Sequence, residues 1–214
     1  DLNSPYINKF IKKNRLNSKI IKIKKNSIKT KLNYIKNKLF LTQGNIQNLS
    51  FVFAIIKKLN LNAKKTLNTI NNFKGLKFRQ EIIFKAKNLT IINDSKATSF
   101  SSSENILKSL KNVYWILGGI PKKGDKFQMT RKECNSFKAY IFGNNKSFFI
   151  KNLRNKLAIQ NFKNLKSALK KVINDIRLSK STINHKTILF SPSAASFDSF
   201  RSFEDRGENF NRLV

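Results

Sequence analysis

From residue 81 onward, short apolar runs alternate with longer amphipathic stretches, and this alternation strongly constrains the fold. The apolar runs predict strands at 82–84, 89–92, 113–117, 139–142 and 187–190. The stretches between and after them carry apolar residues at helical spacing and predict helices over 102–110, 128–135, 147–157, 165–176 and 199–213. Such alternation is typical of a mostly parallel sheet with helices on both faces. We therefore expect an α/β, Rossmann-like domain over 81–214.

The first 80 residues have a different pattern. Residues 1–38 are rich in Lys, Asn and Ile, and weak alternation such as that of 20–24 predicts exposed strands at a sheet edge. Apolar residues at helical spacing then predict an amphipathic helix over 49–59 and a second helix over 63–71. We therefore expect residues 1–80 to be part of a different domain.

The chain is strongly basic, with Lys+Arg 44 against Asp+Glu 11 and a net charge of +33. Such a charge makes nucleic acid or an anionic surface the first partner to consider. The excess is mostly Lys, is spread along the chain and comes with abundant Asn, Ile and Phe, a composition that AT-rich codons specify. The Arg residues are scattered instead of clustered with aromatic residues on one element. We expect no specific nucleic-acid partner, and a basic module that binds RNA or an anionic surface remains the alternative.

Few residues can bind metal or form disulfides. Cys134 is the single cysteine, which excludes an internal disulfide, fits a reducing compartment and predicts a small core residue. His185 is the single histidine; it precedes an apolar run and predicts a strand-edge residue, so we expect no His/Cys metal site.

No apolar run reaches the ~18 residues that cross a membrane, and no secretion signal is visible. We expect a cytoplasmic monomer without membrane contact. Because the chain opens at Asp1 without methionine, we interpret it as a fragment or partial gene product.

Polar tracts follow three of the apolar runs, at 93–98, 118–122 and 191–196. In an open α/β sheet these positions lie at the carboxyl ends of the strands, where ligands bind. In the first tract Lys96 offers a mobile positive charge, Thr98 a hydroxyl, and Asp94 an acceptor for a ribose hydroxyl or a cation. This tract therefore predicts an anion site, with an ordinary Asx-type turn as the alternative.

The other two tracts predict further ligand contacts. Two glycines before Lys122 permit close backbone approach, so this ammonium is expected over the crevice, where it suits a substrate carboxylate. A dinucleotide fingerprint G-x-G-x-x-G is absent. In the third tract Ser196 can donate to a carboxylate oxygen, and backbone amides near Phe197 and Phe203 can complete the site. Considered alone, this tract is better explained as a helix N-cap, formed by Ser196 or Asp198, with its Phe residues in the core.

Together the three tracts resemble the C-terminal domain of the Mur ligase family. The shared motifs are N-D-S-K-A-T, a strand followed by Gly-Gly and a lysine, and S-P-x-x-A-S-x-D-x-F-x-x-F-E-x-R-G, all present in order. The likeness is strongest to members that add D-glutamate to UDP-N-acetylmuramoyl-L-alanine. Upstream, 43–48 is similar to a central-domain motif whose two asparagines meet adenine, with Gly44 where histidine is usual. Arg79 matches a hinge arginine that reaches ATP, and Phe78 stands where histidine is often found.

The resemblance implies an ATP-dependent amide ligase of peptidoglycan precursor synthesis. The γ-phosphate of ATP passes to the alanyl carboxylate, and the D-glutamate amine attacks the acyl phosphate. Residues 1–80 would then be part of the central, ATP-binding domain, and 81–214 the glutamate-binding domain. The implied partners are ATP, D-glutamate and UDP-N-acetylmuramoyl-L-alanine, with Mg²⁺ held by residues upstream of this sequence and no metal ligand in it.

The resemblance also assigns roles to individual residues. Lys96 would lie near the transferring phosphoryl group. The residues implied for the two D-glutamate carboxylates are Thr98, Lys122, Ser196, and the backbone at Phe197 and Phe203. Those implied for ATP are Asn45, Asn48, Arg79 and Asp94.

One part of the family's machinery is missing from these 214 residues. The sequence has no G-x-x-x-x-G-K-[ST] phosphate loop, which in such enzymes cradles the ATP phosphates. The chain alone is therefore expected to be inactive. A relic that folds without activity is a further alternative.

Overall fold

The computed structural model describes residues 5–14, 23, 28–41, 43–179 and 185–214. The chain divides into two compact units, Asp1–Lys74 and Gly75–Val214. The described elements of the first unit are all helical: α1 (Pro5–Lys13), α2 (Lys29–Leu32), a 3-10 helix (Lys38–Leu41), α3 (Gln43–Lys58) and α4 (Ala63–Asn72). Its small core consists of Ile28, Ile35, Leu49, Phe53, Ile56 and Ile70.

The edge strands predicted over 1–38 are wrong wherever this stretch is described. Pro5 begins α1 because a proline at the first helical position has a suitable φ and lacks only an N–H that would be unpaired anyway. Tyr6 and Phe10 are four residues apart, which is helical spacing. The alternating stretch 20–24 lies outside the described residues except for Ile23. The two predicted helices are present as α3 and α4, and the Asn62 side chain caps α4 by accepting from the Lys65 amide at 2.9 Å.

The second unit has a six-stranded sheet. Its strands are β1 (Glu81–Lys85), β2 (Leu89–Asn93), β3 (Val113–Gly118), β4 (Phe137–Phe142), β5 (Ala158–Phe162) and β6 (Lys186–Phe190). Its helices are α5 (Phe100–Leu107), α6 (Lys146–Leu153), α7 (Leu165–Leu178) and α8 (Phe203–Leu213). The strand order is β1-β2-β6-β3-β4-β5. Only β1 is antiparallel to its neighbour, so the predicted mostly parallel α/β sheet is confirmed.

The apolar core lies on both faces of this sheet, and β3 shows why. Its side chains alternate, so Trp115 and Leu117 join one cluster while Tyr114 and Ile116 join the other. Residues of α5 and α6 pack in the first cluster, and residues of α7 and α8 in the second. All six residues of β3 are buried, because helices cover both faces of a central parallel strand.

In the second unit, one predicted helix is absent and one strand was not predicted. The helix predicted over 128–135 is wrong: a turn stands there, in which the Glu133 carboxylate accepts from the Thr130 amide and hydroxyl, each at 2.7 Å. The edge strand β5 was not predicted, because polar Gln160 and Asn161 interrupt its apolar pattern. Among the described residues, no helix has the length and apolar character needed to cross a membrane.

Candidate functional site

Four adjacent parallel strands of the second unit end at one edge of the sheet. In spatial order they are β2, β6, β3 and β4, and the polar tracts predicted to bind ligand follow the first three. We call the segments 94–100, 118–125, 143–145 and 191–202 the carboxyl-edge loops, and the edge of the sheet where they lie the carboxyl edge. Because parallel strands end at the same edge, the tracts are brought side by side although nearly 100 positions separate the first from the last in sequence.

The loops after β3 and β6 are joined by backbone hydrogen bonds. The Ile120 amide donates to the Ala195 carbonyl and the Ala195 amide to the Ile120 carbonyl, each at 2.9 Å. Gly119 lies beside this bridge with φ +126, and a Cβ there would stand 2.3 Å from the Ala195 carbonyl oxygen. Only glycine fits such an approach. The bridge therefore fixes the backbone two residues before Lys122 and one residue before Ser196.

The loop after β2 is joined to both of the others. The amide of Phe100 donates to the Asp125 carboxylate at 2.7 Å. Phe100 lies two residues after Thr98, and Asp125 lies three residues after Lys122. The amide of Asp94 donates to the Phe190 carbonyl at the end of β6 at 2.7 Å. All three predicted tracts are therefore held at one edge by direct hydrogen bonds.

Asp94 is a buried acid within this arrangement, with 4% of its surface exposed. Its carboxylate accepts from the Ser191 hydroxyl at 2.8 Å and from the Gln80 amide at 3.1 Å. Burial raises the pKa of Asp94 to about 6, and the two hydrogen bonds and the positive charge of Arg79 limit the rise. Asp94 is therefore mostly ionised at neutral pH and able to accept a hydrogen bond.

A chain of serine hydroxyls continues from Asp94 into the core. The Ser191 hydroxyl lies 2.7 Å from that of Ser103, which lies 2.7 Å from that of Ser193. The indole of Trp115 donates to the Ser191 carbonyl at 2.8 Å. The loop after β6 is therefore held by buried polar groups that are hydrogen-bonded to one another. Buried polar groups of folded proteins normally have such partners.

Arg206 in α8 is completely buried and connects two of the loops. Its guanidinium donates to the Ser95 hydroxyl at 3.1 Å, to the Ser95 carbonyl at 2.8 Å and to the Ala194 carbonyl at 3.0 Å. Burial lowers the pKa of Arg206 to about 10, while the negative charge of Asp198 acts in the opposite direction, so the group stays charged at neutral pH. Sequence reasoning assigned it no role, although the E-x-R-G ending of the third motif contained it.

Lys96 lies over an aromatic ring. Its Nζ is 3.5 Å from the centroid of the Phe203 ring, and its backbone amide donates to the Phe78 carbonyl at 2.9 Å. Phe78 is 4% exposed and packs so closely on α8 that a Cβ on Gly207 would stand 2.3 Å from its ring. The aromatic residue at position 78 is therefore part of the packing between the start of this unit and α8.

The predicted D-glutamate contacts differ in burial. Lys122 and Thr98 are exposed, Ser196 is buried, and Phe203 is partly buried. The Phe197 side chain is 72% exposed, so only its backbone could take part in a recessed site. Among the predicted contacts, the Lys122 and Thr98 side chains are thus accessible at the surface, whereas the Ser196 side chain is not.

The predicted ATP contacts are divided between the two units. Asn45 and Asn48 lie in the first turns of α3 in the first unit, where the Asn48 amide lies 3.5 Å from the Asn45 side-chain oxygen. Arg79 and Asp94 lie in the second unit, with Arg79 exposed just before β1. Arg79 is close enough to Asp94 for its charge to lower the pKa of that acid.

Cys, His, Asp and Glu side chains are the potential metal ligands of the described residues. Across the described ranges, no three His, Cys, Asp or Glu side chains form a group that could hold a metal ion. Cys134 lies in the core as predicted, and burial raises its pKa to about 11. His185 precedes β6 as predicted, with its ring nitrogens 2.9 Å from the Thr90 hydroxyl and 3.1 Å from the Lys87 carbonyl.

A wide cleft of about 790 Å³ lies at the opposite edge of the sheet, among residues that include Asn112, Arg131, Lys138 and Lys156. None of the predicted site residues lines it. Since ligands of open α/β sheets bind at the carboxyl ends of the strands, the carboxyl edge remains the candidate site.

Comparison with known proteins gives consistent relatives. A curated UDP-N-acetylmuramoylalanine--D-glutamate ligase of Wolbachia from Brugia malayi is 36% identical over 176 residues, covering 82% of this chain and 34% of the relative. The enzyme of the same description from Rickettsia felis is 34% identical over 177 residues, covering 83% of this chain and 39% of the relative. The chain thus spans about a third of the length of the curated relatives it matches. No protein-family model matches it.

Among solved structures, the UDP-N-acetylmuramate-alanine ligase MurC of Thermotoga maritima aligns with a TM-score of 0.52 at 15% identity. The alignment covers 80% of this chain and 37% of that one. At this identity the likeness concerns the fold alone, and it agrees with the mostly parallel α/β sheet described above.

Proposed function

Because the chain belongs to the Mur ligase family, we propose that its second unit binds D-glutamate for an ATP-dependent amide ligase acting on UDP-N-acetylmuramoyl-L-alanine. The observation that carries this proposal is the hydrogen-bonded convergence of the three motif loops at the carboxyl edge. A nucleotide-sugar substrate suits an enzyme of the cytoplasm, and we propose that it acts there as a monomer.

D-glutamate has two carboxylates, and the carboxyl edge offers donors for both. Lys122 provides an exposed ammonium, and within the described part of the chain no carboxylate forms an ion pair with it. Thr98 and Ser196 provide hydroxyls, and the backbone amides at Phe197 and Phe203 complete the set. Charge-assisted hydrogen bonds of this kind are stronger than neutral ones, so Lys122 should contribute most to affinity.

Each unit carries residues suited to a part of the nucleotide. In the first unit, Asn45 and Asn48 suit adenine. In the second unit, ionised Asp94 can accept from a ribose hydroxyl, and Arg79 and Lys96 suit phosphate oxygens. In phosphoryl transfer, catalysis comes mainly from positioning and charge stabilisation, and Lys96 supplies a positive charge for it. Among the described residues, no three His, Cys, Asp or Glu side chains form a group that could hold a metal ion. We propose, as the family resemblance implies, that the Mg²⁺ of this reaction is held by residues outside this sequence.

The proposed reaction has two steps. The alanyl carboxylate takes the γ-phosphoryl group of ATP and releases ADP. The D-glutamate amine then attacks the acyl phosphate, loses a proton and displaces inorganic phosphate as the amide forms. In this scheme the carboxyl edge holds D-glutamate by its carboxylates so that its amine stays free to attack.

The D-glutamate site can be tested on the 214-residue chain itself by isothermal titration calorimetry. We expect Lys122→Ala to weaken D-glutamate binding about tenfold or more, because a charge-assisted hydrogen bond contributes about 1.5–3 kcal/mol. Lys123→Ala is the matched control, since it removes the same charge from the next position of the same exposed turn. Equal affinities of the two variants would remove Lys122 from the site, and no binding by the unaltered chain would contradict the proposed function.

The complete reaction makes a separate prediction. Because the sequence lacks a phosphate loop, the purified chain should form no ADP from ATP, D-glutamate and UDP-N-acetylmuramoyl-L-alanine. An ADP assay on the purified chain checks this. Turnover by the chain alone would show that the reaction does not need the phosphate loop that this sequence lacks.

A further inference from the structure

The ammonium of Lys96 has an aromatic partner instead of an acidic one. Its Nζ lies 3.5 Å from the centroid of the Phe203 ring, well inside the ~6 Å within which a cation is attracted to a ring face. Among the described residues, the ion pairs join Lys77 to Glu208 and Lys171 to Asp175, and none involves Lys96. The closest favourable contact of this cation is therefore a neutral π face.

Both partners of this contact are fixed by their backbones. The Phe203 carbonyl accepts from the Ser95 hydroxyl at 2.8 Å, and Ser95 is in turn held by the buried guanidinium of Arg206. On the other side, the Lys96 amide donates to the Phe78 carbonyl at 2.9 Å. Ser95 thus connects Lys96, its neighbour in the chain, to Phe203 through one direct hydrogen bond.

The first turn of α8 sets the direction of the ring. Phe203 is the first residue of the helix, and the Ser202 side chain caps it by accepting from the Asp205 amide at 3.3 Å. Since a capped first turn has defined backbone angles, the Phe203 side chain leaves the helix in a set direction. The contact with Lys96 is therefore built into the fold of this edge.

We propose that the Phe203 ring is a positioning residue that holds the Lys96 ammonium ready for a phosphate group. The inference rests on the proposed function, in which Lys96 meets the transferring phosphoryl group. A carboxylate partner would neutralise the ammonium and compete with phosphate oxygens for its N–H donors. An aromatic face attracts the cation through its quadrupole but leaves the N–H groups that point away from the ring available for hydrogen bonds.

The test observes Lys96 directly, because the many other lysines of the chain also attract anions. In the 214-residue chain with isotope-labelled lysine, the side-chain NMR signals of Lys96 are assigned with Lys96→Arg. Protons above a ring face are shifted upfield, so Phe203→Leu should move these signals downfield and Phe203→Tyr should keep them shifted. Phe84→Leu is the control, because Phe84 is a partly exposed aromatic residue of β1 at 46% exposure.

The functional consequence is measured by titrating ATP while following the same signals. We expect Phe203→Leu to weaken the response of Lys96 about two- to fivefold, the ratio that corresponds to 0.5–1 kcal/mol of cation–π attraction. Phe203→Tyr keeps an aromatic ring, so in this variant Lys96 should respond to ATP as it does in the original chain. The fluorescence of Trp115, the single tryptophan, checks that each variant is folded.

The outcomes separate this inference from the function on which it rests. Lys96 signals that do not change in Phe203→Leu would show that the ring does not hold the ammonium. Changed signals with an unaltered ATP titration would show that the contact has no positioning role. If ring and ammonium interact but ATP leaves Lys96 unaffected in every form, the contact stands and the assignment of Lys96 to ATP fails.

Discussion

Two kinds of residue meet at the carboxyl edge. Asp94, Ser95, Ser191 and Arg206 are at most 4% exposed, and each has hydrogen-bond partners from another segment. Lys122, in contrast, is exposed on a turn that the Asp125 amide closes by donating to the Lys122 carbonyl at 3.1 Å. We call the four buried residues the frame. The frame supports the turn on which Lys122 is exposed. Substitutions in the frame should therefore change stability, and substitution of the presented lysine should change binding alone.

The largest effect is expected for Arg206→Ala. This substitution leaves the carbonyls of Ser95 and Ala194 buried without their donor, and each buried acceptor left unsatisfied costs about 1–3 kcal/mol of unfolding free energy. Urea unfolding followed by Trp115 fluorescence reports on the second unit, which contains that residue. Arg201→Ala, at an exposed position, is the control and should stay within about 0.5 kcal/mol of the original chain. Equal losses in both variants would contradict a framing role for Arg206.

Asp94→Asn should have the next largest effect, and its sign depends on pH. The pKa of Asp94 is about 6 in the folded chain against 3.8 for the free side chain, so between these values the folded state binds more protons than the unfolded state. The contribution of Asp94 to stability therefore falls as pH rises through this window. The neutral variant lacks this loss and should gain about 3 kcal/mol relative to the original chain between pH 3 and pH 8.

Urea unfolding of both forms at several pH values checks the Asp94 prediction. Because other titrating groups are common to both chains, only the difference between them matters. A difference that does not change with pH would show that Asp94 is not the buried acid that the structure describes.

Gly119→Ala tests the bridge that joins the frame to the presented turn. The added Cβ would stand 2.3 Å from the Ala195 carbonyl oxygen, whereas at Gly124 an added Cβ meets no heavy atom within 4 Å. Both glycines have positive φ, which costs about 1–3 kcal/mol for another residue. Gly119→Ala should therefore be the more destabilising variant and should also weaken D-glutamate binding, as measured by urea unfolding and calorimetry. Equal behaviour of the two variants would show that the bridge does not position Lys122.

The smallest effect on stability is expected for Lys122→Ala. An exposed side chain away from buried contacts contributes within about 0.5 kcal/mol, so the urea midpoint should stay unchanged while D-glutamate affinity falls. A large loss of stability in this variant would place Lys122 within the frame and remove the distinction between the two kinds of residue.

Much of the second unit followed from local pattern. The strands β2, β3, β4 and β6 were predicted because their apolar runs are continuous, as expected for strands covered on both faces. The edge strand β5 was missed because it pairs with a neighbouring strand along one edge only and none of its residues is fully buried, so polar residues occur within it. The helix over 128–135 was predicted from a weak helical pattern. The structure has a turn there, which the hydrogen bonds from the Thr130 amide and hydroxyl to the Glu133 carboxylate stabilise.

The candidate site divides in the same way. Lys96, Thr98, Lys122 and Ser196 could be selected from sequence because each follows an apolar run in a tract of polar or small residues. Arg206 could not, because a charged residue in an amphipathic helix is expected on the exposed face. Its burial becomes intelligible only through the carbonyls of Ser95 and Ala194, which come from two other loops.

The sequence by itself determined that polar tracts follow the strands of an α/β sheet, since apolar periodicity is a local property of the chain. The tertiary structure alone decided that β6 lies between β2 and β3, because that pairing joins segments far apart in sequence. This insertion brings Ser191 to Asp94 and Ala195 to Ile120. The physical reason is that hydrogen bonds between strands depend on which backbones become neighbours, and no local pattern of side chains specifies that choice.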